Sequence, residues 1–269
     1  MATQRDCQIC AATVEAPIAS FIRLQKTVAE LTMKILKLPT TAIALVGAFA
    51  ALDIIMEAIP FIPYGPSAGV MMKPIEGIFL GPLAGLVAAF VGGIVSSLIW
   101  PSTAVLGLAT WIPGVLGALV SGLLFKKRWK LVVLILAGVL VAFFLHPYGR
   151  SIFLYANWDK VIALLLVVPV SRVVNRTLGK AVTIKSLVPM VGFISFIATE
   201  TDGASGNLVF LFMAGPIFGI GPQTLPSLFI PYAFLDAGVR VITGIICALV
   251  LSPVLVATRR ANLVRWPLT

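Results

Sequence analysis

Four ionisable side chains gather around one connection in an otherwise apolar sequence. Asp53 and Glu57 lie four residues apart, and Lys73 and Glu76 follow after the Pro- and Gly-rich stretch PFIPYGPSAG. Carboxylates and an ammonium group can hold a polar solute through charge-assisted hydrogen bonds. Two interpretations fit this group: Lys73 neutralises a neighbouring carboxylate for folding alone, or the four side chains belong to a binding site.

Catalysis finds little support in the residue types. His146 is the single histidine, so a serine or cysteine nucleophile has one candidate base. The sequence has no HExxH, no GxSxG and no Walker-type glycine-rich loop. A paired-aspartate membrane protease would have to join Asp53 to Asp202 or Asp236 by coincidence. We therefore expect no catalytic residue, and an intramembrane enzyme remains the weakest alternative.

A metal or cofactor role is equally poorly supported. Cys7 and Cys10 form a lone CxxC near Asp6, whereas a zinc site normally needs four ligands. A nickel or cobalt cargo would need several histidines, and the chain has only His146. We expect neither a metal site nor a cofactor bound to this chain.

The composition places these residues in a membrane. Apolar residues make up 59% of the 269 residues and charged residues only 11%, with a mean hydropathy of +1.07. Soluble domains carry about 25% charged residues, so a soluble globule is excluded. The length fits one membrane domain. A net charge of +10 would suggest nucleic acid in a soluble protein, but its placement described below argues against such a partner.

The stretch at residues 81–100, GPLAGLVAAFVGGIVSSLIW, is an uncharged membrane span. At about 1.5 Å per residue it covers the roughly 30 Å hydrocarbon core of a bilayer. Small residues recur at every fourth position: Gly81, Gly85, Ala89, Gly93 and Ser97. Because such residues let helix backbones approach closely in lipid, we expect this helix to be central in a bundle.

The first span, residues 41–59, has two different faces. At about 100° per residue, Ala44, Ala48 and Ala51 lie together, and Asp53 and Glu57 lie on the opposite side. A charge near the middle of a membrane costs at least about 2.5 kcal/mol on insertion scales, so the acids should face protein or water. The alanine face suits a close helix partner.

The remaining pattern predicts an all-α polytopic membrane protein with six core transmembrane helices and an extra hairpin, about eight spans in all. We expect a short helix at 70–80, and a polar hairpin, PYGRSIFLYANWDK, between spans at 131–145 and 161–174. An acidic, glycine-rich turn, ETDGASGN, follows a span at 186–199, and residues 208–220 are expected to form a half-span or re-entrant piece. Further spans are expected at 104–125 and 232–257.

Three regions follow from this layout. Residues 1–40 are expected to be a cytoplasmic segment with a basic amphipathic helix at 15–37. Residues 41–258 form the transmembrane domain, and residues 259–269 form a cytoplasmic basic tail. With the N-terminus inside, 16 of the 20 Lys and Arg residues lie on the cytoplasmic side. The positive-inside rule therefore predicts a multi-pass plasma-membrane protein with both termini in the cytoplasm.

Acidic and aromatic residues divide the other way, toward the outer half. Seven of the ten acidic residues lie there, together with seven tyrosines and tryptophans: Tyr64, Trp100, Trp111, Tyr148, Tyr155, Trp158 and Tyr232. Any one of these aromatic residues suits the membrane interface. Acids and aromatic faces together also describe a pocket open to the outside. We therefore expect a binding site on the outer side, for an organic molecule with amine, hydroxyl or ring character.

Several segments resemble the substrate-binding S component of an energy-coupling factor (ECF) transporter. They are the AxxxA at Ala44 and Ala48, FLGPLAG at 79–85, IPGVLGALVSGLLFKKRWK at 112–130 and the closing LDAGVRVITGIICALVLSPVLVATRR. The segment FIATETDGASGNLVFLF resembles the acidic turn of archaeal-type members. The resemblance covers about residues 40–260, and the hairpin at 131–174 departs from the family's usual six helices.

The resemblance implies capture rather than catalysis. S components bind a vitamin, a vitamin-like precursor or a metal ion outside the cell, and dock on a transmembrane T component with two ATPases that use ATP. It implies that Ala44 and Ala48, with Ala51 beside them, contact the T component. It places substrate binding at Asp53, Glu57, Lys73, Glu76, Trp111, Glu200, Asp202 and Asn207. A self-sufficient secondary transporter or channel remains the main alternative.

Overall fold

The structure, a computed structural model, describes residues 40–60, 67–178 and 183–260. The amphipathic helix expected at 15–37, Cys7, Cys10 and the tail beyond Arg260 lie outside these residues. The chain divides into two units, residues 1–43 and 44–269. The first unit contributes to the described residues only the beginning of one helix.

The described residues form eight α-helices. They are α1 (Thr40–Glu57), α2 (Met72–Leu80), α3 (Pro82–Ile99), α4 (Trp111–Phe125), α5 (Trp129–Leu145), α6 (Gly149–Leu178), α7 (Ile184–Ala214) and α8 (Leu225–Arg260). Short 3₁₀ turns at Ala68–Met71 and Gly107–Thr110 lead into α2 and α4. Gly81, with φ of 91°, makes the tight turn between α2 and α3, a backbone conformation that glycine adopts without strain.

Six of these helices are long and apolar enough to cross a membrane: α1, α3, α4 with its 3₁₀ turn, α6, α7 and α8. The predicted class, an all-α polytopic membrane protein, is confirmed. Helix α5 is apolar and 17 residues long, and with α6 it forms the expected extra hairpin. Helix α2 has only nine residues, about 14 Å of helix, and is packed between its neighbours.

Helix α7 holds the central position in the bundle. It packs against α2, α4, α5, α6 and α8, and the apolar core includes Leu124, Leu136, Val167 and Ile194. The small-residue ladder of α3 is buried against α2 and α4, where Gly85 meets the backbone of Glu76 and Gly93 meets Trp111. The ladder therefore lets α3 pack closely against α2 and α4. The central helix of the bundle is α7, not α3 as expected.

The prediction of a polar hairpin at 147–160 is wrong. Helix α6 begins at Gly149 and runs unbroken to Leu178. Its polar residues Asn157, Asp159 and Lys160 are buried rather than exposed. Polarity was a poor guide here because Asp159 and Lys160 belong to a group of charged side chains from α6, α7 and α8 inside the bundle.

The prediction of a turn at ETDGASGN is also wrong, because these residues all belong to α7. Gly203 has a packing role: a Cβ at this position would collide with the guanidinium of Arg240 on α8. The half-span expected at 208–220 does not form either. Its first residues complete α7, which ends at Ala214, and Gly215 to Ile220 form the turn before α8.

Candidate functional site

A cavity of about 340 Å³ lies at one end of the bundle, among α1, α2, α4, α6, α7 and α8. Its volume is at the lower end of the roughly 300–1,000 Å³ typical of small-molecule sites. Most of its surface is apolar, and six charged residues line it: Glu57, Lys73, Lys160, Asp202, Asp236 and Arg240. A small solute with polar groups would fit this combination of volume and lining.

On one side the wall contains the first charge cluster, defined by Asp53, Glu57, Lys73 and Glu76. Lys73 Nζ donates to Asp53 Oδ1 at 2.6 Å and lies 3.4 Å from Glu57 Oε1. The Ser67 hydroxyl donates to the second carboxylate oxygen of Glu57. Glu76 is fully buried, and neither of its carboxylate oxygens has a hydrogen-bond partner. This cluster thus joins α1 to α2 through one ammonium group.

On the other side lies the second charge cluster, defined by Asp159, Lys160, Glu200, Asp236 and Arg240. Lys160 Nζ donates to Asp159 Oδ2 and Asp236 Oδ2, each at 2.8 Å. Arg240 Nη2 lies 3.0 Å from Asp236 Oδ1, and its Nε donates to Asp236 Oδ2 at 3.1 Å. Glu200 is farther from both cations, 3.7 Å from Lys160 Nζ and 3.8 Å from Arg240 Nε. These contacts tie α6, α7 and α8 together.

Glycines on neighbouring helices make room for these charges. A Cβ at Gly92 of α3 would collide with Asp53, and one at Gly114 of α4 would lie 2.8 Å from Lys73 Cε. Gly203 accommodates Arg240 in the same way. Charged side chains therefore lie directly against helix backbone, which shields them from lipid in a bundle that spans a membrane.

The eight residues expected to bind substrate fall into three groups. Glu57, Lys73, Asp202 and Asn207 line the cavity. Asp53, Glu76 and Glu200 are fully buried behind the wall, within the charge clusters. Trp111 does not line the cavity; its ring packs edge-on against Phe90, with ring centroids 5.0 Å apart.

Sequence reasoning missed Lys160, Asp236 and Arg240 as site residues. The spacing of Asp236 and Arg240, four residues apart at the start of the last span, was a usable signal of an ion pair inside a helix. Lys160 was placed in a loop, so its pairing with Asp236, 76 residues later, was not foreseen. Among the aromatic residues of the lining, Tyr155 and Tyr232 belong to the predicted outer-side group, whereas Phe210 and Phe229 were not predicted.

No known relative helps to interpret this site. No family model matches the chain, and no curated protein and no solved structure is significantly similar to it. The interpretation therefore rests on the geometry of the chain itself.

The arrangement is suited to binding. In the described part of the chain, no group of three or more His, Cys, Asp and Glu side chains could hold a metal ion. The described lining of the cavity contains neither histidine nor cysteine, so it offers no pair of a nucleophile with an imidazole base. It does offer buried ion pairs, amide and hydroxyl groups, and aromatic faces in one small space.

Proposed function

We propose that this chain captures a small organic solute outside the cell and carries it across the membrane as the substrate-binding subunit of an ATP-driven ECF-type uptake transporter. The observation that carries the proposal is the 340 Å³ cavity, in which charged groups from five helices meet. In a membrane such groups are costly and mark a solute pathway or binding site.

The proposed orientation follows from where the charges lie. The cavity is lined by the C-terminal end of α1 and by the N-terminal parts of α6 and α8. Basic residues concentrate at the opposite helix ends, in the turn between α4 and α5 and at the end of α8, where Arg259 and Arg260 lie. The positive-inside rule favours a cytoplasmic location for these basic ends, which supports the proposal that both termini lie in the cytoplasm and that the cavity faces the outside of a plasma membrane.

The proposed docking face is the outer side of α1. Ala44, Ala48 and Ala51 are exposed, and a Cβ at Gly47 would meet nothing within 4 Å. Of the six spans, α1 is the least buried, with 17% of its window inside the protein. Asp53 on its other face is fully buried. A face of small residues lets a second helix approach closely, which suits a transmembrane T component that is itself bound to two ATPases.

Gentle purification from a native-like host, followed by mass spectrometry of proteins and small molecules, tests the capture role. A T component with ATPases, or a retained solute of vitamin size, is the expected result. A protein that retains neither, and that moves solute alone in liposomes, would overturn the proposal in favour of a self-sufficient secondary transporter or channel.

A double variant tests the docking face separately. Ala44→Leu with Ala48→Leu fills the gap that a partner helix needs, so cellular uptake should be lost while solute binding by the purified chain is retained. Gly138→Leu is the matched control, since Gly138 is exposed on α5 with open space around it. It should leave uptake intact. Normal uptake in the double variant would remove the docking claim.

A further inference from the structure

The three cations in the cavity wall are all paired with carboxylates of the protein. Lys73 pairs with Asp53, Lys160 with Asp159 and Asp236, and Arg240 with Asp236. An anionic ligand would have to compete with these carboxylates for the same cations and would weaken their buried pairs. Uncompensated buried charge is strongly unfavourable, so the wall is poorly suited to an anion.

One carboxylate of the lining is different. Asp202 on α7 faces the cavity, and the described residues offer it neither an ion pair within 4.0 Å nor a side-chain hydrogen bond. It lies between the two charge clusters. A Cβ on Gly117 would lie 3.2 Å from Asp202 Cβ and 3.4 Å from Lys73 Cβ, so Asp202 is close to the first charge cluster. Gly203, which follows Asp202 in the sequence, packs on Arg240 of the second charge cluster. Lys73 and Arg240 act on Asp202 electrostatically, but neither makes an ion pair with it, so its carboxylate is open to pairing with a cationic ligand.

The charge balance of the region points the same way. All seven acidic residues of the described part of the chain lie in the two clusters or at Asp202, against three cations, Lys73, Lys160 and Arg240. With every group ionised, carboxylates exceed cations by four. A cationic ligand reduces this excess and an anionic one increases it.

The remaining lining suits a cation that carries a ring. Asn207 Nδ2 donates to the carbonyl of Ala156 at 2.9 Å, which leaves the side-chain oxygen of Asn207 as an acceptor for a ligand N–H. Aromatic rings from α6, α7 and α8, including those of Phe229 and Tyr232, line the cavity. Their faces attract cations and stack with flat rings.

We propose that the cavity binds a small organic cation, a molecule of one or two rings with a protonated amine, whose charge pairs with Asp202 between the aromatic rings. This inference rests on the proposed capture function and names its class of substrate. The volume of 340 Å³ limits the ligand to this size. The substrate is recognised by its positive charge and its ring together.

Charge-matched probes test the inference on the purified full chain in nanodiscs. Tryptamine, tryptophol and indole-3-propionate share one ring system and differ in carrying an ammonium, a hydroxyl or a carboxylate group; phenethylamine, phenylethanol and phenylpropionate form a one-ring set. Binding is measured by microscale thermophoresis and by the thermal shift. Each amine should bind at least tenfold more tightly than its alcohol, and the carboxylates should bind most weakly.

Two substitutions assign the effect to the residues. Asp202→Asn should lower amine affinity at least tenfold and leave the alcohol unchanged. Tyr232→Leu should lower amine affinity about two- to thirtyfold, the range of a cation–π contact. Phe234→Leu, on the same helix but outside the cavity lining and 79% exposed, is the control and should have no effect.

The outcomes separate this inference from the function on which it rests. Three results would overturn the proposal of a cationic ligand but not the capture role. They are equal binding of amine and alcohol, a preference for the carboxylates, and an unchanged amine affinity in Asp202→Asn. If no probe of any charge binds at millimolar concentration and no solute co-purifies, both are overturned.

Discussion

Replacing Lys73 by methionine tests whether the first charge cluster is held by its single ammonium group. Lys73 is 3% exposed and Asp53 is fully buried, and the two side chains are in direct hydrogen-bonded contact. Methionine keeps most of the length of the side chain and removes the charge. Asp53, Glu57 and Glu76 are then left together without a cation.

The expected cost follows from this geometry. Removing one partner of a buried ion pair destabilises a protein by about 3–5 kcal/mol, because the other charge stays buried and uncompensated. For a folded domain of this size, that corresponds to a fall of about 6–20 °C in the melting temperature. The effect should be at the upper end of the range, because Asp53 and Glu57 both lose the same cation.

The assay is thermal unfolding of the purified chain in a mild detergent, with equilibrium unfolding in sodium dodecyl sulfate for the free energy. Lys130→Met is the matched control, since Lys130 is exposed at the opposite end of the bundle and its loss should cost no more than about 0.5 kcal/mol. The double variant Asp53→Asn with Lys73→Met completes a mutant cycle. It should be less destabilised than the sum of its single variants by about 0.5–3 kcal/mol.

Two results would refute this reasoning. One is a Lys73→Met protein as stable as Lys130→Met. This would mean that the ammonium group of Lys73 does not offset the buried negative charge of the first charge cluster. The other is strict additivity in the cycle, which would mean that Lys73 and Asp53 act independently despite their contact.

Three further predictions address single residues. Glu76→Gln should change the free energy of unfolding by less than about 1 kcal/mol, because neither carboxylate oxygen loses a hydrogen bond; a loss as large as that of Lys73→Met would contradict this. Gly203→Ala should displace Arg240 and lower stability by at least about 1 kcal/mol in the same unfolding assay, whereas Gly192→Ala, with 3.4 Å to its nearest neighbour, should be tolerated. Trp111→Ala should lower stability by less than the about 3–5 kcal/mol of a fully buried tryptophan, because Trp111 is only partly buried and its partner Phe90 is exposed. It should leave solute affinity unchanged in a binding titration, because its ring packs on Phe90 outside the cavity; a large loss of affinity in a folded variant would mean that Trp111 contributes to the site.

Local patterns were enough to predict much of the fold. A run of about twenty uncharged residues needs no tertiary information to be recognised as a span, and Gly81 marked its start correctly. The two faces of α1 also followed from helix geometry: Ala44 and Ala48 are exposed and Asp53 is buried. In each case the pattern that supports the prediction lies within one short stretch of the sequence.

The errors arose where a distant partner decides the conformation. Lys160 and Asp159 looked like loop residues because a polar stretch in a membrane protein is usually exposed to water. Their burial in α6 depends on Asp236, 76 residues after Lys160. Gly203 looked like a turn residue, yet it lies inside α7, where the absence of a side chain leaves space for Arg240. Three of the six charged residues that line the cavity, Lys160, Asp236 and Arg240, are held by such pairings, so the candidate site was only partly predictable.

The two faces of α1 make binding and docking separable by experiment. Glu57 is the residue of α1 that lines the cavity, whereas Ala44 and Ala48 lie on the exposed side. Since α1 is the least buried span, larger side chains at these alanines displace little of the protein's own packing. A loss of uptake in the leucine double variant therefore cannot be assigned to a damaged cavity if solute affinity is unchanged. Loss of both together would instead mean that α1 transmits changes on its outer face to Glu57.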